Sequence, residues 1–330
     1  MKAVLVKEWC TPEALSIEEV ERPTPRPGEV LIRVSAAALN FFDVLMVAGK
    51  YQLKPSLPFS PGAEVAGIIE DSNIEDSNGK LLLFKPGQRV FAQVALGGFA
   101  EYVCAPAANV HSLPESMTYE EGASFGITYQ TSYFGLAYRA QLRAGETVLV
   151  HSAAGGVGTA ALQIARALGA GKIIGTAGSD DKLPVILDNG ADVALNYQKE
   201  DFVEVVKRET NGRGVDIIYD PVGGDLGERN TKCIAFEGRI ILIGFTSGKF
   251  SNFAANHILI KNYSVVGLHW GAYRQQLPER ITEAWRELFE LYAQKKIKPV
   301  IGGVYSMEKV AEAMEFLVSR NATGKLVLRW

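Results

Sequence analysis

The 330-residue sequence has little cysteine: Cys10, Cys104 and Cys233 stand far apart and form no C-x-x-C pair. This scatter excludes the framework of short-loop disulfides that holds many small secreted domains together. The four histidines are equally dispersed, so no cluster of His and Cys has the spacing of a tetrahedral metal site. Sparse thiols therefore predict a protein of the reducing cytoplasm, and the histidine pattern predicts no bound metal.

An excess of charge of one sign is also missing, because 34 Lys and Arg face 37 Asp and Glu, for a formal charge of −3. We therefore expect no nucleic-acid partner. The longest uncharged stretch, 147–165, has Ser-Ala-Ala-Gly-Gly-Val-Gly at its centre and cannot form a continuous apolar membrane helix. The N-terminus has only four apolar residues between two lysines, too few for a signal peptide. We expect a soluble protein without a membrane partner.

Glycine, in contrast, is abundant: 33 of 330 residues exceed the usual ~7%. Residues 1–122 alternate short strand patterns with Pro and Gly turns, which favours a small irregular barrel, and the polar stretch 70–80 predicts an exposed hairpin loop. From residue 124 strands and helices alternate, which predicts a doubly wound parallel sheet of six strands. The predicted strands are 147–152, 172–177, 193–197, 215–220, 239–245 and 264–270.

This change of pattern predicts two domains in an α/β protein. Residues 124–269 would form the parallel-sheet domain, and residues 1–123 and 270–330 would form one discontinuous domain around it. In the sheet domain, helices are predicted at 157–168, where apolar residues lie on one face, and near 226–236.

A glycine-rich turn joins the first predicted strand of this domain to its first helix. Gly155 would let backbone approach a pyrophosphate, Gly158 would let the helix pack close to the strand, and amides at the helix start would hold the phosphate charge. Ala153 replaces the usual first glycine. The alternative is a tight turn without a ligand, but a strand before and a helix after favour a dinucleotide.

The end of the second strand indicates which dinucleotide is bound, since NAD requires a carboxylate there. Ser179 stands in that region, Lys182 follows, and Tyr197 ends the third strand. Together they favour the 2′-phosphate of NADPH. Asp180 and Asp181 count against this preference, although an Asp before a helix is commonly an N-cap.

Eight motifs distributed over the whole chain carry a resemblance to a known family. They are Met1-Lys2-Ala3-Val4, Pro27-Gly28-Glu29-Val30-Leu31-Ile32, Asn40-Phe41-Phe42-Asp43, Gly49-Lys50-Tyr51, Pro61-Gly62-Ala63-Glu64-Val65-Ala66-Gly67, Gly98-Phe99-Ala100-Glu101-Tyr102, Ala153-Ala154-Gly155-Gly156-Val157-Gly158 and Asp220-Pro221-Val222-Gly223-Gly224. In these motifs the chain resembles the zinc-independent quinone oxidoreductase (zeta-crystallin-like) branch of the medium-chain dehydrogenase/reductase superfamily.

The resemblance implies a GroES-like β-barrel catalytic domain, a Rossmann domain, a cleft between them, NADPH, and a homodimer joined through the Rossmann domain. It also bears on metal binding: zinc-dependent relatives have a Cys where this chain has Asn40 and a His where it has Ala63, and the four-Cys lobe of those relatives is absent.

The candidate site residues fall into a substrate group and a cofactor group; the resemblance implies some of them, and the residue pattern itself suggests the others. The resemblance implies that Asn40, Asp43 and Tyr51 lie in the cleft, with Asn40 and Tyr51 as the catalytic and substrate-binding residues. For Asp43 the alternative to substrate contact is hydrogen bonding that organises the loop, and Glu64 is expected to support the barrel. Trp270 and Tyr273 would stack on a flat acceptor, the alternative being hinge packing. The predicted cofactor contacts are Thr128, Ala154, Gly155, Gly156, Val157, Gly158, Ser179, Lys182, Tyr197, Val222, Gly244 and Phe245. His151 is expected to be a satisfied core histidine.

The predicted activity is hydride transfer from NADPH to a quinone or other conjugated carbonyl acceptor, without zinc. An enoyl-thioester or 2-alkenal reductase is the alternative within the same class. A crystallin-like protein that binds NADPH with little turnover is the alternative of another class.

Overall fold

The computed structural model describes residues 1–72 and 84–330. These residues form two compact units, Met1–Ile127 with Pro299–Trp330 (unit 1) and Thr128–Lys298 (unit 2). Within the described ranges, no helix combines the length and the apolar character needed to cross a membrane. The predicted hairpin loop at 70–80 lies, from residue 73 onward, outside the described residues.

The strands are numbered in chain order. They are β1 Lys2–Leu5, β2 Ser16–Glu19, β3 Glu29–Ala38, β4 Glu64–Ser72, β5 Arg89–Gln93, β6 Tyr102–Pro106, β7 Val110–Ser112, β8 Thr147–Val150, β9 Lys172–Ala177, β10 Val193–Asn196, β11 Val215–Asp220, β12 Ile234–Leu242, β13 Ser264–Gly267, β14 Ile301–Ser306 and β15 Lys325–Arg329.

The helices follow the same rule. They are α1 Phe41–Val47, α2 Tyr119–Tyr133, α3 Gly156–Ala167, α4 Leu183–Asp188, α5 Phe202–Glu209, α6 Gly224–Arg229, α7 Ala255–Lys261, α8 Tyr273–Gln276, α9 Pro278–Ala293 and α10 Val310–Val318. A π-helical stretch, Phe134–Arg139, continues directly from α2.

Unit 1 is built around β3, which pairs antiparallel with β4, β6 and β15. The sheet runs in the order β14-β15-β3-β4-β5-β7, with β6 joined to β3, so that β15 lies between β14 and β3. Alternate residues of β3, such as Val30, Ile32 and Val34, enter the core of this unit. The pairing of β15 with β3 carries Lys325 to the region where β3 ends.

Unit 2 is the predicted six-stranded parallel sheet, in the order β10-β9-β8-β11-β12-β13. The chain reverses its direction of travel across the sheet between β8 and β11, and ligands of such sheets bind at the carboxyl ends flanking that point. The α/β fold class predicted from the sequence is confirmed.

One helix and one strand begin elsewhere than predicted. The helix expected near 226–236 is only α6, followed by the short 3-10 turn Asn230–Lys232, because β12 already starts at Ile234. Glu237 has a φ of 58°, and the register of β12 against β11 shifts there, so one bulged strand replaces the predicted later start.

The predicted domain bounds remain a prediction, and the compact units differ from them most at residues 270–298, which belong to unit 2. The reason is local packing: the ring of Tyr273 lies 4.7 Å from that of Phe134 and 5.8 Å from that of Tyr138. Arg280 places its guanidinium 5.2 Å from the Tyr138 ring. These contacts hold α8 and α9 against the π-helical stretch.

Candidate functional site

The glycine-rich turn of unit 2 leaves the N-terminus of α3 without a side-chain cap. Gly155 is the N-cap, in extended conformation, and no side chain accepts a hydrogen bond from the first helical amides. A hydrogen bond connects the turn to β9, since Ala153 donates its N–H to Thr176 O at 2.9 Å. The structure brings together the predicted residues Ala154, Gly155, Gly156, Val157 and Gly158, with amides available to an anion.

The glycines of this turn serve different purposes. A Cβ on Gly158 would lie 2.2 Å from Ser152 O and 2.7 Å from Ala153 Cα, so the close approach of helix and turn requires glycine there. A Cβ on Gly155 would meet Ser152 O only at 3.4 Å. Packing therefore requires glycine at position 158, whereas a Cβ at position 155 would make only ordinary van der Waals contacts.

The residues predicted to read the 2′-position lie around the carboxyl ends of β9 and β10, which pair in parallel. A Cβ on Gly178 would lie 2.9 Å from the Tyr197 hydroxyl, which places that hydroxyl beside the residue before Ser179. Lys182 is half-buried, and burial lowers its pKa.

The nearby carboxylate of Asp180 is already engaged. It accepts a hydrogen bond from Asn196 Nδ2 at 2.8 Å and pairs with Lys199 Nζ. The expectation that an Asp caps the following helix is wrong, because Ser179 is the N-cap of the 3-10 turn and Lys182 that of α4. Asp180 instead fastens β10 to β9, with its charge balanced by Lys199.

On the other side of the sheet, a turn with two left-handed glycines follows β11. Gly223 and Gly224 have φ of 67° and 60°, and the Phe245 ring lies directly over Gly223, where a Cβ would meet its Cδ1 at 2.5 Å. At the neighbouring Gly244, a Cβ would meet only Pro221 O, at 3.6 Å. The predicted contacts Val222, Gly244 and Phe245 are thus brought together after β11 and β12.

His151 is confirmed as a satisfied core residue. It is fully buried, with Nδ1 3.0 Å from Thr176 Oγ1 and Nε2 2.7 Å from Asn230 Oδ1. Burial lowers the pKa of the imidazole, which favours its neutral form.

In unit 1, Asn40 belongs to a buried network around the lysine of β15. Lys325 Nζ donates to Leu39 O at 2.8 Å, to Asn40 Oδ1 at 2.7 Å and to Glu64 Oε1 at 2.7 Å. Asn40 Nδ2 in turn donates to Glu64 Oε1 at 3.0 Å, while Glu64 Oε2 accepts the N–H of Ile127. These bonds fix the orientation of the Asn40 amide, whose second N–H is still a donor.

Asp43 lies beside this network and carries an unusual proton affinity. Its Oδ2 accepts the Asn40 N–H at 2.8 Å, while its buried Oδ1 has no hydrogen-bond partner. Burial raises the pKa of Asp43 to about 7, although the Asn40 N–H and the charge of Lys325 act in the opposite direction. Asp43 therefore organises the start of α1, as the loop-support alternative predicted.

Tyr51 is half-buried and stacks on Phe42, with ring centres 5.5 Å apart. Burial and the charge of Asp43 raise the pKa of its hydroxyl, so the hydroxyl is protonated at neutral pH. Its assignment as the substrate contact remains a prediction.

The two aromatic residues predicted to hold substrate make internal contacts. Trp270 is 8% exposed, and the Arg274 guanidinium lies 4.7 Å from its ring. Tyr273 packs on Phe134, as described above. Such contacts are typical of packing residues. Thr128, predicted to lie near the cofactor, is buried in α2.

Two functional side chains were missed by the sequence reasoning, Lys325 and Asn230. Lys325 opens an apolar strand, Lys-Leu-Val-Leu, and a lone lysine at the start of a buried strand is the signal that could have found it. Asn230 carries no comparable signal. In the ranges 1–72 and 84–330, no group of three or more His, Cys, Asp or Glu could hold a metal ion.

Comparisons with family models match two regions of the chain. The "Alcohol dehydrogenase GroES-like domain" matches residues 26–115, and "Zinc-binding dehydrogenase" matches residues 156–293. The first lies in unit 1 and the second in unit 2.

Among curated relatives, the chain is 36% identical over 339 residues to quinone oxidoreductase of Homo sapiens, covering 99% of this chain and 97% of the relative. It is 35% identical over 327 residues to quinone oxidoreductase-like protein 2 of Bos taurus, covering 99% and 92%. The crystal structure of Escherichia coli quinone oxidoreductase complexed with NADPH matches the full length of both chains, with a TM-score of 0.90 and 32% identity.

The two turn glycines predict contrasting substitutions. Gly158→Ala forces a Cβ against Ser152 O and should destabilise the protein by about 3 kcal/mol or prevent folding. Gly155→Ala, its matched control in the same turn, should change the free energy of unfolding by less than about 1 kcal/mol. Urea unfolding of both variants measures this, and equal stabilities would contradict the proposed division of roles.

The raised pKa of Asp43 predicts a pH-dependent stability. Folding raises the pKa of Asp43 from an unfolded value of about 3.9 to about 7. This group's contribution to the free energy of unfolding is therefore fully present below about pH 3.9 and is lost as the pH rises through about 7. Asp43→Asn keeps an oxygen for the Asn40 N–H but cannot titrate.

Urea unfolding of wild type and Asp43→Asn between pH 5 and pH 8.5 tests this. The wild type should lose stability relative to the variant as pH rises, and a difference that is constant with pH would contradict it. Asp188→Asn, at an exposed position in α4, is the control.

Proposed function

Since the chain belongs to the quinone oxidoreductase branch of the medium-chain dehydrogenase/reductase superfamily, we propose that it is an NADPH-dependent oxidoreductase that reduces a quinone or another conjugated carbonyl without zinc. The observation that carries this proposal is the N-terminus of α3, which begins after Gly155 at the carboxyl edge of the parallel sheet and which no side chain caps.

The residues of unit 2 fit NADPH in two respects. The amides of Gly156–Gly158 would hold the pyrophosphate, and the cluster of Ser179, Lys182 and Tyr197 offers hydroxyls and an ammonium group to the 2′-phosphate. The Asp180 charge that would oppose this phosphate is balanced by Lys199. When bound, NADPH supplies the hydride for the reduction.

Unit 1 supplies donors for the oxygen of the acceptor. With its Oδ1 held by Lys325 and one N–H held by Glu64, Asn40 can present only an N–H to a substrate, as a developing enolate or quinol oxygen requires. Tyr51 would donate the proton, because its raised pKa keeps the hydroxyl protonated. Asp43, with a pKa of about 7, can hold a proton in the same region.

A homodimer through unit 2 accompanies this proposal. Within the described residues β13 pairs only with β12, so one edge of the six-stranded sheet is open. Beside it, α7 exposes Leu259 (76%) and Ile260 (72%), an apolar surface that a second copy would cover through a two-fold axis. The cysteines are free thiols, which supports a cytoplasmic location.

An acceptor panel tests the proposed activity. Loss of NADPH or NADH absorbance is followed with 1,4-benzoquinone, 9,10-phenanthrenequinone, 2-alkenals and crotonyl-CoA, with and without a chelator. We expect turnover of a quinone or alkenal with NADPH, unaffected by chelation. A strong NADH preference would contradict the assignment of Ser179, Lys182 and Tyr197; activity with the thioester alone would replace the quinone assignment. NADPH binding without turnover of any acceptor would favour the crystallin-like alternative.

Tyr51→Phe should lower kcat at least about tenfold, because it removes the proton donor but keeps the ring that stacks on Phe42. Steady-state kinetics with the best acceptor measures this, and NADPH affinity should be unchanged. Tyr305→Phe, at a half-buried tyrosine on β14 of the same unit, is the control. An unchanged kcat in Tyr51→Phe would rule out the role.

Leu259→Lys combined with Ile260→Lys should convert the dimer into monomers, since two buried charges would face the partner. Light scattering coupled to size exclusion measures the mass of each species. Leu187→Lys, at an exposed leucine on α4, should remain dimeric. A wild type that is monomeric would refute the dimer.

A further inference from the structure

The carboxyl edge of the unit 2 sheet holds a chain of four buried polar side chains outside the proposed chemistry. They are Thr176 on β9, His151 after β8, Asn230 after α6 and Asp220 at the end of β11, and each is 0% exposed. The three links between them measure 3.0 Å, 2.7 Å and 3.1 Å, in that order. These hydrogen-bonded side chains thus connect the two sides of the switch point.

Chemistry fixes the direction of every hydrogen bond in this chain. The carboxylate of Asp220 only accepts, so Asn230 donates to it through Nδ2 and turns Oδ1 toward His151. Nε2 of His151 must therefore carry the proton, and Nδ1 accepts from the Thr176 hydroxyl. The imidazole is consequently held as the Nε2–H tautomer.

This series of hydrogen-bonded side chains ends at the turn that follows β11. Asp220 Oδ1 accepts the N–H of Val222 at 2.8 Å and that of Gly223 at 2.9 Å. The carbonyls of the same turn are engaged too, since Thr246 N donates to Pro221 O and Ser247 N to Val222 O. The loop after β12, with Phe245 over Gly223, thus rests on a turn that Asp220 shapes.

We propose that His151 is a positioning residue for coenzyme binding, which holds Asn230 and Asp220 so that the Val222–Gly223 turn is fixed where the nicotinamide half binds. The inference rests on the proposed function: a dinucleotide binds across the switch point of such a sheet, so its nicotinamide half would lie on the side opposite Ser179, Lys182 and Tyr197. His151 itself touches neither coenzyme nor acceptor in this role. Its contribution is the geometry of a turn whose own residues have no side-chain donors.

The test compares two substitutions of His151 and two ligands. His151→Leu removes the Nε2 donor, whereas His151→Gln keeps an N–H in that place and should rescue binding. We expect His151→Leu to raise the Kd of NADPH about tenfold and His151→Gln to raise it less than about threefold. The Kd of 2′,5′-ADP, which lacks the nicotinamide half, should change less than about twofold. Coenzyme fluorescence and calorimetry measure the two constants.

Thr147→Val is the matched control, since Thr147 is another buried hydroxyl of unit 2, which accepts a hydrogen bond from Arg213 at the amino end of β8. It should leave both constants unchanged, whatever its melting temperature. If His151→Leu does not fold, Thr176→Val replaces it in the test. We then expect the Kd of NADPH to rise two- to fivefold while the Kd of 2′,5′-ADP stays unchanged. Long-range ¹H–¹⁵N spectra of the wild type should show the Nε2–H tautomer.

Three results would overturn the inference: an unchanged Kd of NADPH in His151→Leu or its stand-in Thr176→Val, equal weakening of NADPH and 2′,5′-ADP, or an Nδ1–H tautomer. In all three the wild type still binds both ligands, so the proposed function survives. A wild type that binds neither ligand refutes the proposed function, and the inference falls with it.

Discussion

The parallel pairing of β8 with β11 is the contact on which the chemistry of unit 2 depends. Although Val150 and Tyr219 lie 69 positions apart in the sequence, the two residues are register partners. The chain leaves β8 toward one side of the sheet and β11 toward the other, so both turns open at one place. The proposed phosphate site and the proposed nicotinamide-side turn are neighbours because this pairing aligns two strand ends.

In unit 1 the corresponding constraint is electrostatic. Burying the ammonium group of Lys325 is tolerated because each of its three donors meets an oxygen, one of them the Glu64 carboxylate. One carboxylate oxygen of Glu64 accepts hydrogen bonds from Asn40 and Lys325, and the other accepts one from a backbone N–H of α2. The amide of Asn40 receives its orientation from this arrangement, so a residue far along the chain determines which atom can face a substrate.

The parallel sheet and the glycine-rich turn could be predicted from the sequence, because the patterns that indicate them are local. The alternation of strands and helices gave the six parallel strands, and the glycines at 155 and 158 marked the turn before α3. The sequence could have drawn attention to Lys325, but the partners of Lys325 and of Asn230 could not be predicted, since they are residues distant in sequence. The placement of α8 and α9 in unit 2 was not predicted for the same reason: it depends on ring contacts such as that of Tyr273 with Phe134, and not on a local pattern.

The pairing of Asp180 with Lys199 has an evolutionary consequence. A carboxylate suited to an unphosphorylated ribose already stands after β9, but a surface lysine neutralises it. For the proposed NADPH preference, the step toward the other coenzyme pool then requires no new pocket and no new acidic residue. Loss of the exposed Lys199 ammonium group would leave the charge of Asp180 unbalanced. The proposed coenzyme preference would therefore depend on a surface side chain that packing constrains little.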